Sequence, residues 1–193
     1  MINIFLSYRA DDGVHASARI SRMLAEHFGR DRVFRDHDSL ELGSRYPDEL
    51  RGALTRADVV IAIIGPNWLG ARRGVSSRCV DDPRDWVRTE LRTAFESRRR
   101  VVPVLLDDVP VPAHDELPPD IAEVSRLTYW RVRNRTLDAD VHALIRLLDP
   151  SAVEDPPDAG HRAGTQVNYG MGGVLYANQG VQHIHGTPVR GER

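Results

Sequence analysis

The sequence has 193 residues, of which 41% are hydrophobic and 28% are charged. This is ordinary for a globular protein and enough for one α/β domain with an appendage. The net charge of −2 gives no electrostatic reason to expect a nucleic-acid partner. All basic residues are arginine, which excludes chemistry that depends on lysine. No apolar run approaches the roughly 20 residues of a membrane span, and we expect neither a membrane partner nor a signal peptide.

Cysteine and histidine usage argues against a metal centre. Cys79 is the single cysteine, so no intrachain disulfide and no cysteine-based metal site can form. This usage fits a reducing cytoplasm, where we expect the protein to be located. His183 and His185 flank Ile184 without an evident third ligand. We therefore predict no bound metal and no prosthetic cofactor.

Hydrophobic patterning predicts strands that alternate with helices. The predicted helices cover residues 14–28, with Gly29 as a stop, 48–55, with Pro47 in the first turn, 82–97, with Asp82 as N-cap and Pro83 following it, and 137–148. The predicted strands cover residues 2–6, 32–34, 59–64, 101–106 and, as a short edge strand, 127–130. A proline-rich loop is expected over 107–119.

This alternation favours a parallel sheet with helices on both faces. Five strands at this spacing suit the flavodoxin-like order. We predict a domain over residues 1–149, a linker over 150–162 and a low-complexity tail over 163–189, which contains no Asp, Glu, Lys or Arg.

Four short motifs follow one another in the predicted domain. The motifs are a strand ending in Ser-Tyr-Arg at 4–9, a loop with Arg-Asp and Leu-x-x-Gly at 34–43, a β-branched run at 57–64, and Trp-x-x-x-Glu within 85–91. In this order and spacing they resemble the TIR (Toll/interleukin-1 receptor) family over roughly residues 1–149. The second is similar to the family's BB loop, and the fourth to a motif of its NAD-cleaving members.

Two positions depart from the family patterns. Leu42 stands where many animal receptors have the BB-loop proline, and Ala10 stands where many NAD-cleaving members have a second basic residue. A response-regulator receiver, which shares the fold, is excluded because the third strand ends Ile63-Ile64-Gly65 without a phosphoacceptor aspartate and the chain has no lysine.

The resemblance implies that Glu90 is the catalytic residue for cleavage of the nicotinamide–ribose bond of NAD. Trp86 and Glu90 are four residues apart and lie about one turn apart on the predicted helix. The alternative for Glu90 is a solvated helix residue paired with Arg88 or Arg92. Trp86 is a candidate for substrate binding or for packing that fixes the helix.

Three further residues are candidates for substrate binding. Arg9 closes the first strand at the carboxyl edge and suits phosphate geometry; its alternative is a surface arginine paired with Asp11 or Asp12. Tyr8 would pack over the sugar or fill the rim. Glu41, in the BB-loop segment, would meet a ribose hydroxyl by analogy with the family, or is a solvated loop acid.

The uncharged tail has three interpretations: a disordered terminus, a strand pair that adds to the domain, or a self-assembling segment. Residues 166–170 and 178–186, rich in Gly, Asn and Gln among alternating apolar residues, resemble bacterial amyloid signalling motifs. Such motifs lie C-terminal to effector domains and pair with a matching motif on a sensor of the NLR type.

These features favour an NAD+ glycohydrolase that is activated by self-association through its TIR domains and serves as a bacterial immune or cell-death effector. NAD+ would then be a substrate and not a cofactor. Two alternatives remain open: a non-catalytic adaptor that binds other TIR domains, and a cyclase that makes a cyclic ADP-ribose signal.

Overall fold

A computed structural model describes residues 2–9, 12–35, 46–70 and 78–150, together with 166–167 and 177–178. For residues 46–50 and the two short tail segments only the backbone is described. Candidate residue Glu41, the other BB-loop residues from 36 to 43 and most of the tail lie outside these ranges.

The core of the structure is one parallel five-stranded sheet in the order β2-β1-β3-β4-β5. This confirms the flavodoxin-like order predicted from the sequence and places β5 at an edge. The strands are β1 (Ile4–Ser7), β2 (Val33–Arg35), β3 (Val59–Ile64), β4 (Arg100–Leu106) and β5 (Trp130–Val132).

Within the described residues, four α-helices cover the two faces of this sheet: α1 (Val14–Phe28), α2 (Tyr46–Arg56), α3 (Trp86–Glu96) and α4 (Leu137–Leu148). Helices α1 and α4 have the predicted bounds. Helix α1 ends at Gly29 as expected, since Gly29 has φ 101° and its N–H donates to the carbonyl of Ala25. Such a backbone favours glycine because a side chain would be strained there.

The helices divide into two pairs that bury different sides of the sheet. Helices α1 and α4 pack against one face of the sheet, and α2 and α3 pack against the other face. Strand β3 lies in the middle of the sheet and all six of its residues are buried. The continuous β-branched run that predicted this strand is therefore explained by its two covered faces.

Several predicted bounds differ from the observed ones, and the starts of α3 and β5 differ most. Helix α3 begins at Trp86 with Asp85 as its N-cap, whereas Asp82 accepts a bond from the nearby N–H of Arg84. Helix α2 begins at Tyr46, ahead of Pro47. Strand β5 begins at Trp130, three residues later than predicted, because residues 127 and 128 form a bend and an irregular segment after the 3-10 helix over Ala122–Arg126.

The chain between β4 and β5 contains 3-10 turns and no α-helix. They lie at His114–Glu116 and Ala122–Arg126. Prolines at 110, 112, 118 and 119 remove four backbone donors from this stretch, which explains why an α-helix does not form there.

The described part of the tail consists of two short strands, β6 (Gln166–Val167) and β7 (Ala177–Asn178). They pair antiparallel with each other, with Gln166 opposite Asn178. They form a two-stranded sheet of their own. The described tail strands therefore pair with each other and not with a strand of the five-stranded sheet. Within the described ranges, no helix has the length and apolar character to cross a membrane.

An ion pair on the surface joins α1 to α4. Arg19 donates from Nε and Nη2 to the two carboxylate oxygens of Asp138 at 3.0 and 2.6 Å. These hydrogen bonds and the charge of Arg19 lower the pKa of Asp138 below its ordinary value of 3.8. Because the folded pKa is depressed, the stability that this pair contributes is present above pH 3.8 and is lost as the pH falls through the folded pKa.

We expect Arg19→Gln to raise the pKa of Asp138 toward 3.8, because the substitution removes the charge and the paired donors. An NMR titration of the side-chain carboxyl carbons measures this directly. Arg78→Gln is the matched control, since Arg78 makes the same kind of pair with Asp81. It should raise the pKa of Asp81 and leave that of Asp138 unchanged, and the reverse pattern would contradict the assigned pairing.

Candidate active site

The candidate site lies at the edge of the sheet where the strands end, since parallel sheets of this kind place their ligand crevice there. Strand β1 leads at this edge into Tyr8 and Arg9. Helix α3 begins at the same edge, because it follows the end of β3 and precedes the start of β4. The structure thus brings the end of β1 to the first turn of the helix that carries Trp86 and Glu90.

Arg9 makes a two-pronged ion pair with Asp85. Its Nη1 and Nη2 donate to the two carboxylate oxygens at 2.9 and 3.0 Å, and its Nε donates to the carbonyl of Trp68 at 2.8 Å. Only 14% of the Arg9 side chain and 6% of the Asp85 side chain are exposed. Burial alone would lower the pKa of Arg9, but the hydrogen bonds and charge of Asp85 outweigh it and raise the pKa. The partner is Asp85 and not Asp12, while Asp11 lies outside the described residues.

Asp85 has a second role as the N-cap of α3. One of its carboxylate oxygens accepts the backbone N–H of Arg88 at 3.1 Å, as capping residues do for the exposed donors of a first turn. The side chain of Arg88 in turn binds Asp120 through Nε at about 3.0 Å and the carbonyl of Asp81 through Nη1 at 2.9 Å. The first turn of α3 is therefore held to three other parts of the chain.

Glu90 is buried, with 1% of the residue exposed. It belongs to the stripe of α3 that faces the sheet, together with Val87, Leu91 and Ala94. Arg88 and Arg92 contact Asp120 instead. The alternative of a solvated Glu90 is therefore wrong. A glutamate inside a helix stripe is rare, because burial disfavours its charged form, and such groups are concentrated at functional sites.

Trp86 lies at the first position of α3, about one helical turn from Glu90, and 43% of it is exposed. It is one of the two large hydrophobic residues that stand out as exposed among the described residues, the other being Val14. With this exposure the Trp86 ring is not buried in the core.

Tyr8 is placed on the other face of the sheet. Its side chain packs with the residues of α1 and α4, and 7% of it is exposed. The guanidinium of Arg35, at the end of β2, lies 5.7 Å from the centre of its ring, which is within the range of a cation–π contact. Tyr8 and Glu90 therefore approach the carboxyl edge from opposite faces.

Asp12 is a third buried acid at this edge, with 1% exposed. Its carboxylate accepts the backbone N–H groups of Gly65 and Asn67, each at 2.9 Å. Burial raises its pKa, while the two N–H donors and Arg9 oppose that rise. The contact ties the segment after β1 to the segment after β3. It depends on Gly65, because a Cβ there would lie 2.5–2.7 Å from the Asp12 carboxyl atoms.

Sequence reasoning missed Asp85 and Asp12 as structural partners at this edge. The signal for Asp85 was its position immediately before Trp86, three residues before the Arg88 N–H that it caps. Asp12 had no such signal, since its partners follow a different strand. Among the described residues, no group of three or more His, Cys, Asp or Glu side chains could hold a metal ion.

A separate apolar cleft of about 470 Å³ lies at the opposite edge of the sheet. It is formed by the start of β4, the segment that leads into β5 and the end of α4, and its lining includes Arg100, Tyr129 and Leu148. None of the candidate site residues lines it, so it is not the site that the motifs indicate.

The chain belongs to the TIR domain family, whose sequence model matches residues 4–148. A solved structure, the TIR domains of the activated Roq1 resistosome, superposes with a TM-score of 0.59 at 16% identity, and covers 77% of this chain and 99% of that one. At this identity the likeness shows the fold alone.

Two curated relatives carry the name NAD(+) hydrolase. SARM1 of Danio rerio is 26% identical over 160 residues, which are 81% of this chain and 21% of the relative. The tir-1 protein of Caenorhabditis elegans is 30% identical over 150 residues, which are 76% of this chain and 14% of the relative. The chain thus spans about a fifth or less of the length of these relatives.

We expect Gly65→Ala to lower the free energy of unfolding by about 1–3 kcal/mol, since the new methyl group would force the Asp12 carboxylate away from its two N–H donors. Chemical denaturation measures the change. Gly52→Ala in α2 is the matched control, because its Cβ would meet only the flexible end of Arg56 at 3.2 Å. That variant should be neutral or more stable by about 0.5–1 kcal/mol, and equal effects at the two glycines would refute the close approach.

Proposed function

We propose that this protein is an NAD+ hydrolase that converts NAD+ and water into nicotinamide, ADP-ribose and a proton. The observation that carries the proposal is Glu90, a carboxylate buried to 1% exposure in the sheet-facing stripe of α3. It lies within the stretch that matches the TIR family. The names of the relatives, NAD(+) hydrolase, support the same reaction over a shared region of 150 to 160 residues.

The chemistry explains how one carboxylate can be enough. The bond between nicotinamide and ribose breaks with positive charge developing on the sugar, as in glycoside hydrolysis. Nicotinamide is cationic in NAD+ and leaves as a neutral ring, so its departure needs no general acid. A carboxylate held near the ribose can orient the hydroxyl groups and stabilise the developing charge. This is the role proposed for Glu90.

The other candidates would bind the substrate around Glu90. Trp86 offers an exposed ring at the rim, which suits stacking against a nucleotide ring. The guanidinium of Arg9 has five N–H donors, of which three are used by Asp85 and Trp68. Glu41 is proposed for the sugar from the BB-loop segment. Tyr8 packs with α1 and α4 on the other face of the sheet, so for this residue we propose the alternative role of filling the rim.

We expect Glu90→Gln to reduce nicotinamide release by about 100-fold or more, because the amide preserves shape but cannot stabilise positive charge as a carboxylate does. The assay follows NAD+ consumption by concentrated or artificially clustered protein, with products separated by chromatography. Glu96→Gln is the matched control, since Glu96 is exposed at the end of the same helix and its loss should leave the rate unchanged.

The outcomes separate the competing functions. ADP-ribose as the product supports hydrolysis, and a cyclic ADP-ribose product would replace the hydrolase with a cyclase. If neither the wild type nor the variants release nicotinamide in a state shown to be assembled, the protein is a non-catalytic adaptor and the proposal fails.

The second part of the proposal is activation by self-association. A segment that gathers many copies raises their effective concentration without any new contact between domains. The uncharged Gly-, Asn- and Gln-rich tail over 163–189 has the composition for such gathering. We therefore propose a cytoplasmic effector of bacterial immunity or cell death, whose tail is recruited by a matching motif on a sensor of the NLR type.

We expect a chain shortened to residues 1–150 to lose activation in cells that contain the trigger, since its domains would no longer be concentrated. The shortened protein should keep its NAD+ cleavage when it is clustered by an added oligomerisation tag. Cellular NAD+ after triggering is the measurement. A shortened chain that is activated as easily as the full chain would remove the tail from the mechanism.

A further inference from the structure

Arg9 and Asp85 join two elements whose relative position matters for the proposed reaction. Arg9 follows β1 at the carboxyl edge, and Asp85 caps the helix whose fifth residue is Glu90. We infer that these two residues form a positioning pair, which holds the start of α3 against the end of β1 and so fixes Glu90 relative to the crevice. The inference rests on the proposed NAD+ cleavage, and it replaces the direct substrate contact considered above for Arg9 with a positioning role.

The geometry of the pair favours a fixed link. Both carboxylate oxygens of Asp85 are engaged by Arg9, at 2.9 and 3.0 Å. This planar arrangement restricts the relative orientation of the two groups, as a single contact from a lysine would not. The third donor of Arg9 binds the carbonyl of Trp68, a residue that is 1% exposed in the core. The guanidinium is therefore anchored to the core on one side and to α3 on the other.

Burial makes this link costly to break. With 14% and 6% of their side chains exposed, neither group has full access to water if its partner is removed. Loss of one member leaves a poorly solvated charge behind, whereas loss of both does not. Gly70 also lies close to the guanidinium. A Cβ added at this glycine would lie 2.8 Å from the Cβ of Cys79 and 3.3 Å from Nε of Arg9, so the backbone at residue 70 packs closely against the pair.

The capping role of Asp85 carries the effect into the helix. Its carboxylate accepts the Arg88 N–H while it binds Arg9, so the position of the first turn follows the position of the pair. Glu90 is one turn further along a rigid helix and moves with that turn. Since displacements of about 1 Å at a reacting centre can cost on the order of 100-fold in rate, a small shift of α3 is sufficient to reduce turnover.

Positioning and substrate binding predict different kinetics for the same substitutions. A positioning pair acts on the geometry of the reacting groups, so Arg9→Met and Asp85→Asn should each lower kcat by about tenfold or more and change KM by less than about twofold. Asparagine still caps the helix, so the second variant isolates the ion pair. The double variant should be no slower than the worse single one, since both changes break one link.

The control is Arg19→Met, which breaks a two-pronged Arg–Asp pair between α1 and α4 away from the site. It should leave kcat and KM unchanged. Arg9→Lys tests rescue, because it restores the charge but not the paired donors, and should recover part of the kcat that Arg9→Met loses. All variants are assayed at a temperature at which circular dichroism shows them folded.

Either of two kinetic results would overturn the inference. If Arg9→Met raises KM about tenfold or more with kcat retained, while Asp85→Asn is as active as wild type, then Arg9 is a substrate contact. A double variant whose kcat loss equals the product of the two single losses would likewise mean that the residues act independently.

A readout that needs no NAD+ separates failure of this inference from failure of the proposed function. Hydrogen exchange at the backbone amides of residues 88–90 should speed up in both single variants but not in Arg19→Met. If wild type cleaves no NAD+ yet this pattern is observed, the proposed reaction fails while the pair is still shown to hold α3. If the exchange is unchanged in both single variants, the positioning pair is refuted whatever the activity.

Discussion

The bidentate pair between Arg9 and Asp85 is the contact on which the arrangement of the candidate site depends. It spans 76 positions of sequence and connects a strand end to a helix start, the two kinds of position that border the crevice of a parallel sheet. Asp85 also raises the pKa of Arg9 above its already high ordinary value, so the guanidinium is charged under ordinary conditions.

Buried acids are concentrated where the strands end. Asp12, Asp85 and Glu90 are the buried carboxylates of the described residues, and each is accommodated differently. Asp12 is bound by two backbone N–H groups, Asp85 is paired with a guanidinium, and Glu90 lies among the apolar residues of a helix stripe. A carboxylate at this edge suits a reaction in which positive charge shifts from a leaving group onto the sugar as the bond between them breaks.

The sequence predicts the fold well where local periodicity and burial agree. Helices α1 and α4 and strand β3 have the expected bounds, because their apolar patterns are strong and their ends are marked by glycine, proline or polar residues. The start of α3 is predicted wrongly, since Asp82 and Asp85 are both acceptable N-caps by local criteria. The N-cap is Asp85, the residue that also binds Arg9. That contact is distant in sequence, so the local pattern does not reveal it. The Trp-x-x-x-Glu pattern singles out position 90 as a candidate. The burial of Glu90 is explained separately, by its position on the same stripe of the helix as Val87 and Leu91.

The course of α4 determines where the rest of the chain leaves the domain. The helix starts after β5 at the carboxyl edge and runs for twelve residues, about 18 Å, to the edge where the apolar cleft lies. Residue 150 therefore departs from the back of the domain, behind the mouth of the crevice. Any partner bound to the chain beyond residue 150 would therefore meet the domain from the edge opposite the candidate site, and access to that site would not depend on its release.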